Sequence, residues 1–156
     1  MQCIKSTVRQ CTRNISAIQN RTVYVKQTLT VSLRLYSEKV KVDELTVDYH
    51  QVKNATLNGN VLIVDVREPE EVKEHGKIPN SINIPLGNVS TALGIMTDKE
   101  FQSLYKRPKP TEEGEIIFYC MIGKRSGMAQ QNAINLGYKN VKNYLGSWTD
   151  WASKLH

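Results

Sequence analysis

Residues 115–126 read EIIFYCMIGKRS, and this stretch decides the fold. The apolar run up to Tyr119 predicts a buried strand, and a helical pattern begins a few residues after it. Cys120 therefore lies where a strand ends and a short glycine-containing loop leads into a helix. Backbone N–H groups converge at such a position, and with Lys124 and Arg125 they favour a thiolate and can hold an anion. The pattern predicts a nucleophilic sulfur that acts on an anionic substrate.

A second interpretation of Cys120 is a packed core thiol, since free cysteines are among the most buried residues in proteins. The glycine and the two basic residues that follow it favour the reactive interpretation.

Short predicted strands alternate with short predicted helices through most of the chain. The strands fall at residues 45–47, 61–64, 81–84, 115–119 and 141–145. Asp48 with Gln51 and Thr97 with Glu100 have the spacing of helix capping boxes, and Gly137 is placed to end a helix. This alternation predicts an α/β fold with a central, mainly parallel sheet and helices on both faces.

Asp65 follows one predicted strand directly, as Cys120 follows another. The carboxyl ends of parallel strands meet at one edge of a sheet, where binding sites form. We therefore expect the two residues to share one crevice.

The N-terminal segment carries the whole charge excess of the protein. Residues 1–37 hold six basic and no acidic residues, the rest holds 15 of each, and the net charge is +6. This distribution argues against nucleic-acid binding by the folded part. One apolar helix face is predicted, formed by Ile4, Val8, Cys11, Ile15 and Ile18. The segment predicts a mitochondrial transit peptide, a location in the matrix and a folded domain over residues 38–156.

Two other interpretations of this segment stay open: a disordered basic arm, or, for residues 22–36 with their strand-like alternation, a part of the fold. Arg34-Leu35-Tyr36 before Ser37 resembles a matrix-protease cleavage site. Cleavage there leaves Cys120 as the single cysteine, which excludes an internal disulfide and a cysteine-based zinc site. No apolar run reaches the roughly 18 residues needed to span a bilayer.

Four separated motifs together resemble the single-domain rhodaneses, a family of sulfurtransferases. The first is the loop from Cys120 to Arg125, with Cys first and Gly fourth. The other three are residues 62–68 (LIVDVRE), 75–85 (HGKIPNSINIP) and 146–151 (GSWTDW). Each motif is weak alone, and His75-Gly76 reverses the family's order.

The resemblance implies a rhodanese-like α/β sandwich with a five-stranded sheet. It implies that Cys120 takes a sulfane sulfur from thiosulfate or a persulfide, becomes a persulfide, and passes the sulfur to a thiol such as glutathione or to cyanide. A protein acceptor is a variant of the same reaction. No metal and no organic cofactor are implied.

The resemblance also assigns the site residues. Cys120 is the nucleophile, and the loop Met121, Ile122, Gly123, Lys124 and Arg125 binds substrate, with the two cations as anion contacts. Asp65 and Arg67 support the loop, and Ser126 is predicted to cap the following helix.

Ser147 is predicted to cap the last helix, whose Trp148 and Trp151 are predicted core residues; His75 is predicted in a turn. Met121 and Ile122 are apolar where thiosulfate-preferring relatives often carry polar residues, which leaves the preferred donor open.

Two alternative functions compete with sulfur transfer. A rhodanese-related phosphatase or arsenate reductase also uses a Cys thiolate and an Arg, but its loop has five intervening residues, whereas four separate Cys120 from Arg125 here. A non-catalytic rhodanese binding module is the other alternative, and such modules usually lack the cysteine.

Overall fold

The computed structural model describes residues 45–155. Five strands lie in this part of the chain: β1 Thr46–Val47, β2 Leu62–Asp65, β3 Ile82–Asn83, β4 Ile116–Tyr119 and β5 Val141–Tyr144. The α-helices are α1 Tyr49–Leu57, α2 Pro69–His75, α3 Asp98–Tyr105, α4 Lys124–Asn135 and α5 Ser147–Ser153. The predicted transit peptide, residues 1–37, lies outside the described residues, so that segment and the domain boundary at residue 38 stay predictions.

The five strands form one sheet in the order β1-β5-β4-β2-β3, and every pair in it is parallel. The α/β prediction is confirmed, and the sheet is parallel throughout. Each of the four connections between successive strands contains a helix, as parallel strands require.

Both faces of the sheet are covered because the strands alternate between two apolar clusters. In β4, Ile116 and Phe118 face a cluster that includes Phe101 of α3 and Ala133 of α4. Ile117 and Tyr119 face the opposite cluster, which includes Val52 of α1 and Trp151 of α5. Burial on both faces explains why these strands read as continuous apolar runs.

The helix starts follow the predicted capping boxes. The Asp48 side chain accepts from Gln51 N–H, and Gln51 accepts in return from Asp48 N–H. Thr97 and Glu100 make the same reciprocal pair before α3. Between β3 and α3 the chain forms a 3₁₀ turn at Leu86–Asn88 and a π-helical turn at Thr91–Ile95, neither of which the sequence pattern predicts.

Two strand ends bring the predicted site residues to one edge. Asp65 is the last residue of β2 and lies opposite Tyr119, the last residue of β4. Cys120 follows Tyr119 directly, so Asp65 and Cys120 leave the sheet at neighbouring positions.

No helix among residues 45–155 is long and apolar enough to cross a membrane.

Tyr119 joins β4 to the segment that precedes β3. Its buried hydroxyl accepts from Ile78 N–H at 3.1 Å and bonds the Ser81 hydroxyl at 3.0 Å. Replacing Tyr119 by Phe leaves the buried Ile78 N–H without an acceptor, so we expect the free energy of unfolding to fall by about 1–3 kcal/mol. Urea denaturation measures the change.

Tyr105→Phe is the matched control for Tyr119→Phe, because the Tyr105 hydroxyl makes no hydrogen bond within the described residues. A Tyr119→Phe effect no larger than that of Tyr105→Phe would contradict the assigned network.

Candidate active site

Cys120 lies at the base of the active loop, which we define as residues 120–125. Its side chain is 1% exposed. Its Sγ accepts from Gly123 N–H at 3.2 Å and from the Ser126 hydroxyl at 3.6 Å. The sulfur therefore faces donors, as an anionic sulfur requires.

These donors shift the acidity of the thiol. Burial raises the pKa of Cys120, because the charged form is poorly solvated. The Ser126 hydroxyl and backbone N–H groups of the loop and of Ser126 lower the pKa of Cys120 by more than burial raises it. The balance favours the thiolate relative to an ordinary cysteine.

Gly123 allows the loop to close around the sulfur. Its φ of +89° lies in the left-handed region, and a Cβ there would lie 2.5 Å from the carbonyl oxygen of Leu145. Only glycine permits this approach of the loop to the end of β5.

The segment after β5 holds the active loop from the other side. Cys120 N–H donates to the Ser147 hydroxyl at 3.1 Å, and Trp148 N–H donates to the Cys120 carbonyl at 3.0 Å. Thr149 N–H and its hydroxyl both donate to the Met121 carbonyl. The first turn of α5 therefore fixes the backbone at Cys120.

The two predicted serine caps are wrong. Gly123 is the N-cap of α4, and Ser126 lies within the first turn, where its hydroxyl reaches Cys120 instead. Gly146 is the N-cap of α5, and the Ser147 hydroxyl donates to the Tyr144 carbonyl at 2.8 Å. In both cases the hydroxyl is used by the active loop and its supports rather than by the helix end.

Asp65 and Arg67 form a fully buried ion pair with an N–O distance of 2.6 Å. Arg67 also donates to the Gly76 carbonyl at 2.7 Å, and its guanidinium carbon lies 5.0 Å from the centre of the Trp148 ring. Neither side chain is accessible to a substrate, so the geometry supports a bracing role at the strand ends.

The predicted anion contacts differ from each other. Lys124 is exposed and has no ion-pair partner within residues 45–155. Arg125 makes two hydrogen bonds of 2.6 and 2.7 Å to the carboxylate of Glu71, on α2. Ile122 is 60% exposed and Met121 half-buried, so the loop has an apolar outer side.

The remaining predictions concern Trp148, Trp151 and His75. Trp151 is a core residue as predicted, and Trp148, which is half-buried, packs against the same apolar cluster and covers Arg67. His75 ends α2 and is exposed, and the turn comes at Gly76, with a φ of +83°. Sequence reasoning missed Glu71; the basic residue at the loop end and the acidic first turn of α2 were the available signals.

The sequence profile of the Rhodanese-like domain matches residues 48–154. The chain belongs to the rhodanese-like family.

Relatives and solved structures agree with this assignment. The mitochondrial thiosulfate sulfurtransferase RDL2 of Saccharomyces cerevisiae is 37% identical over 144 residues, which cover 91% of this chain and 93% of that protein. The human thiosulfate:glutathione sulfurtransferase is 37% identical over 110 residues, 70% of this chain and 94% of its own. The structure of a human single-domain sulfurtransferase superposes with a TM-score of 0.65 at 37% identity, covering 70% of this chain and 96% of that one.

These comparisons confirm the predicted rhodanese-like fold and family. They also confirm the prediction of an enzyme, because relatives that share 37% identity over most of this rhodanese-like chain are named thiosulfate sulfurtransferases.

The Ser126 hydroxyl lowers the pKa of Cys120, so its removal has a defined direction. We expect Ser126→Ala to raise the pKa of Cys120, because the variant loses a hydrogen bond that stabilises the thiolate. The rate of iodoacetamide alkylation against pH, followed on the peptide that contains Cys120, measures this shift.

Ser153→Ala serves as the control for Ser126→Ala, since the exposed Ser153 hydroxyl bonds the Asp150 carbonyl within α5. The same pH midpoint of alkylation in the natural chain, Ser126→Ala and Ser153→Ala would show that the Ser126 hydroxyl does not act on Cys120.

Gly123→Ala and Gly137→Ala separate a steric clash from backbone strain. Both glycines have positive φ, but a Cβ at Gly137 meets nothing within 4 Å. In both variants, alanine in the left-handed conformation therefore lowers the free energy of unfolding by about 1–2 kcal/mol. We expect only Gly123→Ala to lose more stability than this and to raise the pKa of Cys120, because the loop must move off Leu145. Equal effects in unfolding and alkylation would show that the close approach is unimportant.

Proposed function

We propose that the protein is a sulfurtransferase that moves a sulfane sulfur from thiosulfate, or from a persulfide, to a thiol such as glutathione or to cyanide. The observation that carries the proposal is a buried Cys120 sulfur that accepts hydrogen bonds from its own loop and from Ser126. The names of relatives, thiosulfate sulfurtransferase and thiosulfate:glutathione sulfurtransferase, support the donor and the acceptor.

The first step of the proposed reaction forms an enzyme persulfide. The Cys120 thiolate attacks the outer sulfur of thiosulfate, and a new S–S bond forms at Cys120. The S–S bond of thiosulfate breaks, and sulfite leaves with its electron pair. The thiolate needs no proton acceptor for this step, which agrees with a site built from donors.

The second step regenerates the thiolate. A glutathione thiolate attacks the outer persulfide sulfur, so glutathione persulfide forms and Cys120 leaves as the thiolate. Cyanide in the same position gives thiocyanate. The transferred sulfur stays at the oxidation level of sulfane sulfur in both steps, so no external oxidant or reductant is required.

The loop side chains divide the work of binding. The cations of Lys124 and Arg125 are suited to the sulfonate end of thiosulfate, since charged donors make the stronger hydrogen bonds to oxyanions. The apolar side formed by Met121 and Ile122 suits the carbon skeleton of a larger thiol or persulfide. This division supports both small and larger sulfur donors.

A protein thiol is a further acceptor that we include in the proposal, because Ile122 and Lys124 are exposed on the active loop. We also propose a mitochondrial protein, with the matrix as its compartment. The support is the basic, acid-free segment of residues 1–37 and the mitochondrial naming of RDL2.

Intact mass spectrometry of the full chain before and after thiosulfate tests the function. We expect a gain of one sulfur atom that glutathione or cyanide removes, and no such gain at this site in Cys120→Ser. A gain that persists in Cys120→Ser would come from Cys3 or Cys11, and peptide mapping would locate it.

The same variant tests turnover. Cys120→Ser is expected to abolish sulfur transfer from thiosulfate while its unfolding curve stays close to that of the natural chain, because Ser is nearly isosteric with Cys. Retained transfer would overturn the covalent route. Absence of any sulfur gain from thiosulfate or glutathione persulfide would overturn the sulfurtransferase proposal.

A further inference from the structure

An ion pair closes one side of the active loop. Arg125 is the second residue of α4, and Glu71 lies in the first turn of α2. The guanidinium Nη1 and Nη2 each donate to one oxygen of the Glu71 carboxylate, at 2.6 and 2.7 Å. The pair therefore joins the N-terminal turns of the two helices that leave β2 and β4.

Helix stability does not explain a cation at the position of Arg125. The N-terminus of a helix carries partial positive charge, so a guanidinium in the first turn of α4 is in the unfavourable place. A carboxylate in the first turn of α2 is in the favourable place, and Glu71 has that position. The pairing compensates for a cation that the loop, rather than the helix, requires.

Glu71 is itself held rigidly. One of its oxygens accepts from Glu68 N–H at 3.1 Å, as part of the capping interaction of α2. The hydrogen bond from Arg125 is the largest cause that lowers the pKa of Glu71 to about 2. The carboxylate therefore stays charged, and the pair stays intact, at every pH where a thiolate is the nucleophile.

The pair leaves part of Arg125 available. A guanidinium has five N–H donors, and a two-point contact with a carboxylate uses two of them. The remaining N–H groups lie on a side chain that is 33% exposed. Arg125 also lies within electrostatic range of Cys120: the pKa of Arg125 is raised mainly by its hydrogen bonds to Glu71 and further by the negative charges of Glu71 and Cys120.

We propose that Glu71 is a positioning residue of the sulfur-transfer site: it holds Arg125 so that the free N–H groups meet the anionic end of the sulfur donor. This inference rests on the proposed function for its substrate. A free arginine loses considerable rotamer freedom when it binds an anion. Glu71 removes that cost before the donor arrives.

Four proteins form the test: the natural chain, Glu71→Ala, Arg125→Ala and the double variant. We expect Glu71→Ala to lower kcat/KM for thiosulfate by about 10-fold, mainly through KM, since it weakens one anion contact. In the Arg125→Ala background, Glu71→Ala should have no further effect, because residues that act through one another are not additive.

Two controls separate positioning from helix capping. Glu100→Ala deletes the same type of capping box in α3, away from Cys120, and should leave kcat/KM unchanged. Glu71→Gln keeps an acceptor for Glu68 N–H but removes the charge, so it should lose thiosulfate efficiency while α2 stays capped. It also provides a folded variant if Glu71→Ala is unstable.

A second readout does not depend on sulfur transfer. The ratio of alkylation rates of Cys120 by anionic iodoacetate and neutral iodoacetamide reports anion attraction at the loop. We expect this ratio to fall in Glu71→Ala and in Arg125→Ala, and to fall no further in the double variant. If the protein transfers no sulfur at all, this ratio still tests the position of Arg125.

Three results would overturn the inference. An unchanged ratio and unchanged kcat/KM in Glu71→Ala would make the pair a surface ion pair. A raised ratio would show that Glu71 only repels anions. Full additivity in the double variant would show that Glu71 does not act through Arg125.

Discussion

The buried ion pair of Asp65 and Arg67 is the interaction on which this end of the structure depends. Both charges are out of water, so removing either partner leaves an uncompensated charge, at a cost of about 3–5 kcal/mol. Their backbone is held as well, because the Asn83 amide donates to the carbonyls of Asp65 and Arg67 at 3.0 and 2.8 Å. Arg67 then fixes Gly76 and lies under Trp148. The turn between β2 and α2, and with it Glu71, is positioned by this pair.

The fold was predictable because local signals and the hydrophobic pattern agree. Continuous apolar runs such as 116–119 mark strands that are buried on both faces, and the capping boxes at Asp48 and Thr97 mark helix starts. The capping boxes mark where helices begin but not where they end, so the end of α1 at Leu57 comes from the structure alone. The 3₁₀ and π turns between β3 and α3 have no periodic signature, so the sequence could not reveal them.

The sequence could predict the site residues only where they lie close together along the chain. Cys120, Gly123 and Arg125 are close in sequence, so a motif can show them together. Glu71 and Ser147 come from other segments, 54 and 27 residues away from their partners, and only folding brings them to the loop. The serine caps failed for a related reason: a hydroxyl near a helix start satisfies a capping pattern, yet in Ser126 and Ser147 it is committed to the sulfur or to the backbone around it.

The burial of the Cys120 sulfur separates chemical reactivity from access. A thiolate favoured by hydrogen bonds is ordinarily also a target for peroxides, which convert exposed low-pKa thiols to sulfenic and then irreversibly oxidised acids. Cys120 is 1% exposed, so a reagent must pass the active loop to reach the sulfur. The active loop thus shields the Cys120 sulfur, so its burial opposes oxidation even though the hydrogen bonds that lower the pKa of the thiol favour it.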